Sequence, residues 1–299
     1  MVHSMTPKAG LLCMLAGWLT HVPVRIHTFT GLVWPTSTGF KRKILMLTDK
    51  LTCACATHII PEGEGVKNDL ISGKITRKPL KVLGYGNVMG VDMVRFSRRP
   101  EVMEFADKLR DSNFFTYVYV GRLVKDKGIN ELCRAYERIH SQYPNTKCWL
   151  VGPYEDNLDP IDSESRRLIE IVDNGLEALG RKSGDELLGY YVAADCFVMP
   201  SYREGFPNTV MEAGAFGLPS IVTDINGSRE IIVNGYNGIV VPPQNVEELY
   251  HAMKWMIENP NKRQSMALVA REHIATHFEQ SFVRQCLYDY YKKILLNYS

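Results

Sequence analysis

The stretch CFVMPSYREGFPNTVMEAGAFGLPSIVT, residues 196–223, runs through a strand, a loop, a helix and a second strand in one pass. The apolar run from Cys196 to Met199 stops at Pro200. Gly205 then allows the loop to bring backbone N–H groups close to a ligand, and Pro207 suits the first turn of a helix. Working outward, the same alternation predicts strands at 115–120, 147–151, 220–223 and 239–241, with helices starting near Lys127, Ser163, Gly184, Pro207 and Asn245. Short apolar runs separated by helical stretches indicate a parallel sheet covered on both faces. Such a doubly wound α/β unit takes ligands beyond the carboxyl ends of its strands.

The first hundred residues read in the same way: helix from Pro7, strand 24–28, helix from Thr38, strand 57–60, helix from Gly65 and strand 81–83. Val2 and His3 sit at a strand end with almost no strand before them, so this first sheet reads as cut short. A turn-rich stretch, 84–100, marks the boundary between two domains, as the length of 299 residues favours. The reading is therefore a partial first domain at 1–95, a ligand-binding domain at 96–280, and a closing helix at 281–299 that packs back on the first.

Apolar residues at 45% and charged residues at 23% fit an ordinary folded chain and exclude disordered and fibrous classes. Residues 1–100 hold 14 Lys or Arg against 5 Asp or Glu, and the remainder 21 against 28. A basic first third, densest at Lys41, Arg42 and Lys43, suits anionic lipid headgroups or a phosphorylated acceptor; an ordinary solvated helix face is the competing reading. Seven irregularly spaced cysteines argue for a reducing compartment, and Cys53 and Cys55 read as packed thiols. The apolar run 9–19 is too short to span a membrane and predicts a buried helix.

Two clusters carry chemistry. Arg122 and Lys127 lie between a strand end and a helix start, where a planar fork of donors and a mobile point charge suit a diphosphate. A surface arginine and lysine flanking a turn would look the same. Glu204 in the loop and Glu212 in the following helix can face one pocket, and carboxylates accept paired hydrogen bonds from vicinal sugar hydroxyls. No D-x-D element with apolar strand flanks is present.

With these segments in view, VGRLVKDKG (120–128), LGYYVAADCFVMPS (188–201), YREGFPNTVMEAGAFGLPSIVT (202–223) and NGSREIIVNGYNGIVVPP (226–243) together resemble the family 4 retaining glycosyltransferases of the GT-B fold, over residues 114–260. The resemblance implies two Rossmann-like, doubly wound α/β domains, with a nucleotide-sugar donor in the second, a glycan or lipid-linked acceptor at the first, and transfer with retention. It implies no metal, no other cofactor and no nucleic acid partner. Carried over residue by residue, Arg122 and Lys127 match the pair that holds the donor diphosphate. Glu204 matches the glutamate oriented toward the sugar and Glu212 the one on the ribose. Gly205, Phe206, Pro207 and Asn208 match the loop whose N–H groups touch phosphate and sugar, and residues 179–183 the place of the base.

HSMTPKAGLLCMLAGWL and PVRIHTFTG (3–19 and 23–31) resemble the family's first domain, but the histidine that precedes the glycine in many relatives is Thr30 here. His27 then either takes the catalytic place or is a satisfied structural histidine. The family's first strand and Gly-rich loop have no counterpart, roughly 70 to 90 residues by the size of such units. The implied function is sugar transfer in cell-surface polysaccharide or glycolipid synthesis, in the cytoplasm or peripherally on the inner membrane face. A nucleotide-sugar-binding remnant without turnover is the alternative.

Overall fold

The computed structural model describes residues 1–157 and 159–296, which form two units. The first gathers Met1–Gly90, Glu204–Phe206 and the chain from His277 onward; the second gathers Val91–Arg203 and Pro207–Thr276.

The first unit opens with β1 (Val2–Ser4), α1 (Pro7–Leu19), β2 (Arg25–Phe29), α2 (Gly39–Cys55), β3 (His58–Pro61) and α3 (Glu64–Ser72). Its three strands lie parallel in the order β1-β2-β3, with Val2 opposite Arg25 and Ile26 opposite His58. Side chains of a strand alternate between faces, so Ile59 and Ile60 enter different cores. Ile59 packs with Met14, Phe29, Trp34 and Cys53, and Ile60 with Val24, Ile26, Leu83 and Ile294.

The second unit runs α4 (Pro100–Leu109), β4 (Phe115–Val120), α5 (Ile129–Gln142), β5 (Thr146–Val151), α6 (Ser163–Glu170), β6 (Leu176–Gly180), α7 (Gly184–Ala193), β7 (Cys196–Met199), α8 (Asn208–Ala215), β8 (Ser220–Thr223), α9 (Ser228–Ile231), β9 (Gly238–Val241) and α10 (Val246–Glu258). α11 (Pro260–Phe278) follows, and α12 (Gln280–Leu296) returns to the first unit, where Ile294 completes a core. The six strands are all parallel in the order β6-β5-β4-β7-β8-β9. The chain winds outward from β4 in one direction, then restarts at β7 in the other. The winding direction thus reverses between β4 and β7, and sheets of this kind take ligands at such a switch point.

Several sequence expectations change. Strand 81–83 is absent: only an isolated bridge joins Leu80 to Ile59, because the chain turns at Gly84 and the Gly86 N–H donates to the Leu83 carbonyl. The helix expected near Lys127 begins at Ile129, behind a short 3-10 turn at Lys125–Lys127. β6 was not anticipated. The run 9–19 is helical but not buried: Gly10, Met14 and Gly17 face inward, while Leu12, Leu15, Trp18 and Leu19 are exposed. All seven cysteines are unpaired thiols, and Cys53 is buried. Among the described residues, no helix is long and apolar enough to cross a membrane.

Candidate functional site

In the second unit, the carboxyl ends of β4 and β7 are held together by backbone contacts that the loop residues dictate. Gly128 adopts φ +73°, and a Cβ there would lie 2.0 Å from the Pro200 carbonyl oxygen, so only glycine lets these two loops meet. The Tyr202 N–H donates to the Asp126 carbonyl at 2.8 Å, Arg203 pairs with Asp126 at 2.7 Å, and the Tyr202 hydroxyl donates to Glu131 at 2.7 Å. The segments bearing Arg122 and Lys127 thus lie beside the loop that starts at Pro200.

Arg122 is exposed and pairs with Glu155 at 2.7 Å. Glu155 follows β5, and its hydrogen bond is the main reason the guanidinium is held still more firmly in its charged form. The Tyr119 hydroxyl donates to the Arg122 carbonyl at 2.8 Å, which fixes the backbone from which the side chain extends.

Glu212 projects from α8. Burial pushes its carboxyl above the usual carboxylate range, against the opposing pull of the Tyr191 hydroxyl and the Arg95 charge. Tyr191 is fully buried, stacks on Phe216, and donates to Glu212 Oε2 at 2.9 Å. One carboxylate oxygen is thereby occupied from below. Pro207 and Asn208 open α8, Pro207 buried and Asn208 exposed.

Glu204, Gly205 and Phe206 cluster with the first unit. There a Cβ on Gly205 would lie 2.0 Å from the Thr30 carbonyl oxygen, and the Phe206 ring packs 5.4 Å from that of Phe278. Thr30 is exposed and its hydroxyl donates to the Met5 carbonyl at 2.9 Å. His27 is the opposite case, only 2% exposed, with Nδ1 2.9 Å from the Ser4 hydroxyl, the ring edge-on to Phe29, and Gly10 pressed against it. Burial, with His3 nearby, pushes its pKa down to about 4. So enclosed and held neutral, the ring has the surroundings of the structural alternative.

Sequence reading did not single out Tyr191, Glu155 or Tyr119. Tyr191 sits in an apolar run that reads as plain core, and the partners of Arg122 and Glu212 come from distant segments. A cavity of about 800 Å³ lies at the amino ends of β4, β5 and β6, against Phe114, Thr146 and Leu176, at the end of the sheet away from these residues. No group of three or more His, Cys, Asp or Glu side chains among the described residues could hold a metal ion.

Residues 103–273 match the family model for glycosyl transferases group 1. The chain belongs to this family. It is 32% identical over 296 residues to the capsular polysaccharide biosynthesis glycosyltransferase CapM of Staphylococcus aureus, covering 98% of the chain and 77% of CapM. It is 26% identical over 267 residues to the UDP-Gal:alpha-D-GlcNAc-diphosphoundecaprenol alpha-1,3-galactosyltransferase of Escherichia coli, covering 84% of the chain and 65% of that enzyme. In fold it is similar to Anabaena Alr3699/HepE, solved with UDP and glucose, at a TM-score of 0.83, 19% identity, 97% of this chain and 78% of that one. This group 1 glycosyltransferase thus has the GT-B fold, with Rossmann-like parallel sheets, and bacterial polysaccharide enzymes among its relatives.

Proposed function

We propose that this glycosyltransferase moves a sugar from a nucleoside-diphosphate sugar to a hydroxyl of a glycan or lipid-linked acceptor, with retention of anomeric configuration, in cell-surface polysaccharide or glycolipid synthesis. The observation that carries the reading is the meeting of the segment bearing Arg122 and Lys127 with the loop from Pro200, which leads into the helix of Glu212, at the β4/β7 switch point, the place where such sheets take nucleotides. Arg122 and Lys127 neutralise the departing diphosphate, whose charge grows as the anomeric bond breaks, so they bind the transition state more tightly than the ground state. These fixed cations do the work that a metal does in other transferases. Glu212 accepts hydrogen bonds from the ribose, Glu204 faces the sugar, and the amides of Gly205, Phe206, Pro207 and Asn208 line the phosphates. Residues 179–183, at the end of β6, take the base. His27 supports its unit from within. The reaction belongs in the cytoplasm, peripheral to the inner face of the membrane.

One relative is named for UDP-Gal and one neighbour holds UDP with glucose, so UDP-sugars are the first donors to try. The test is transfer to a diphosphoundecaprenol-linked sugar, with nucleotide release followed and the product anomer read by NMR. An α-linked product from an α-linked donor, at a rate unchanged by chelators, is expected. An inverted product, or dependence on a divalent ion, would overturn the mechanism.

A further inference from the structure

Two neighbouring helices of the first unit carry apolar stripes turned away from its core. Strands β1, β2 and β3 are consecutive and parallel, so right-handed crossovers place α1 and α2 on the same side of the sheet. Both feed one core, through Met14 and Cys53. On α2 the outward positions are Phe40, Ile44, Leu47 and Leu51, at the spacing of a single helix face, with Phe40 77% and Leu47 56% exposed. On α1 they are Leu12, Leu15 and Leu19, the last 61% exposed, with Lys8 at the head of the same stripe. Exposed apolar stripes on two neighbouring helices mark an interaction site.

Charge identifies the partner. No Asp or Glu occurs in residues 1–48. The first, Asp49, lies on the side of α2 that faces the core and is half-buried. Lys41 flanks the α2 stripe on one side and Lys43 and Lys50 on the other, all exposed, whereas Arg42 lies over the Trp34 ring, 5.6 Å from its centroid, on the inner side. Lysines bordering an apolar stripe, with no carboxylate on the same face, complement an anionic bilayer: the stripe enters the acyl boundary and the ammonium groups meet headgroup phosphates.

We propose that the outward faces of α1 and α2 dock this chain on an anionic lipid surface. This deepens the peripheral placement above and rests on that part of the reading alone. Co-sedimentation of the full chain with phosphatidylcholine vesicles, and with equal mixtures of phosphatidylcholine and phosphatidylglycerol, tests it. The expected result is binding to the mixed vesicles, weakened by salt and falling on the order of 100-fold in Lys41→Gln/Lys43→Gln/Lys50→Gln, at about fivefold per lysine. A second variant, Phe40→Ser/Leu47→Ser, should also leave the vesicles while its affinity for UDP matches the parent. Vesicle binding that neither variant changes, no preference for anionic vesicles, or self-association of the parent abolished by the serine variant would each overturn the proposal, the last by assigning the face to a second copy. Nucleotide binding without vesicle binding would refute docking alone, and the converse would refute only the donor site.

Discussion

In the proposed donor site, Arg122 and Glu212 each already hold a protein partner. Glu155 neutralises Arg122 before any diphosphate arrives, so an incoming phosphate must compete with a carboxylate. Arg122→Ala or Lys127→Ala should therefore weaken nucleoside diphosphate binding by about 1.5 to 3 kcal/mol, the worth of a charge-assisted contact, while Glu155→Gln should tighten it; calorimetry reads both. Tyr191 holds one oxygen of Glu212, so Tyr191→Phe should lower affinity for a ribonucleoside diphosphate and spare its dideoxy analogue, as Glu212→Gln should. Glu204→Gln should instead act on the sugar-bearing donor and on turnover. Because burial raises the Glu212 pKa, the carboxylate is lost on acidification sooner than an exposed glutamate would lose it. Nucleotide affinity should fall as pH drops through that raised value, and the fall should vanish in Glu212→Gln. Arg122, Lys127 and both glutamates stood out in the sequence because strand ends, glycines and helix starts are local signals. Tyr191 and Glu155 did not, since their importance lies in contacts made across the fold.

Elements were legible where apolar runs were long and internal. β4, β7 and β8 lie within the sheet, buried on both faces, and their residues are nearly all apolar or small. β6 was missed because Leu176–Gly180 is an edge strand with only Leu176 buried, and a sequence of Leu, Glu, Ala, Leu and Gly carries no strand period. α1 was misjudged for the converse reason. Its small Gly10 and Gly17 face the sheet, so the large apolar side chains point out. The joint between the β4 and β7 loops depends on Gly128. Gly128→Ala would force a Cβ into the Pro200 carbonyl from a left-handed backbone, and should cost about 3 kcal/mol or more in the chemical denaturation of the second unit, with nucleotide binding lost in parallel.

At the scale of the whole molecule, the sequence reading reached the α/β class and the GT-B family, because parallel sheets and phosphate-binding loops leave repeated signals along the chain. Which side chain of α12 enters the first unit's core was not legible, since the meeting of Ile294 with Val24 and Ile60 has no local signature. The first unit also carries a titration built into its core. His27 is held neutral at a pKa of about 4 against an ordinary 6.5, so below 6.5 the unfolded chain takes up a proton that the folded chain refuses. Its stability should be full above pH 6.5 and decline as pH falls toward 4, by up to about 3 kcal/mol from this group. Denaturation curves of the parent and of His27→Asn across this range should show the variant with the shallower dependence. The proposed function requires that the β4/β7 switch point hold a nucleoside diphosphate. Calorimetric titration of the full chain and of Arg122→Ala with UDP, GDP, ADP and dTDP tests it most directly. At least one should bind, and the variant should bind it about 10- to 150-fold more weakly. Binding of none by the folded chain, or equal binding by the variant, would contradict it.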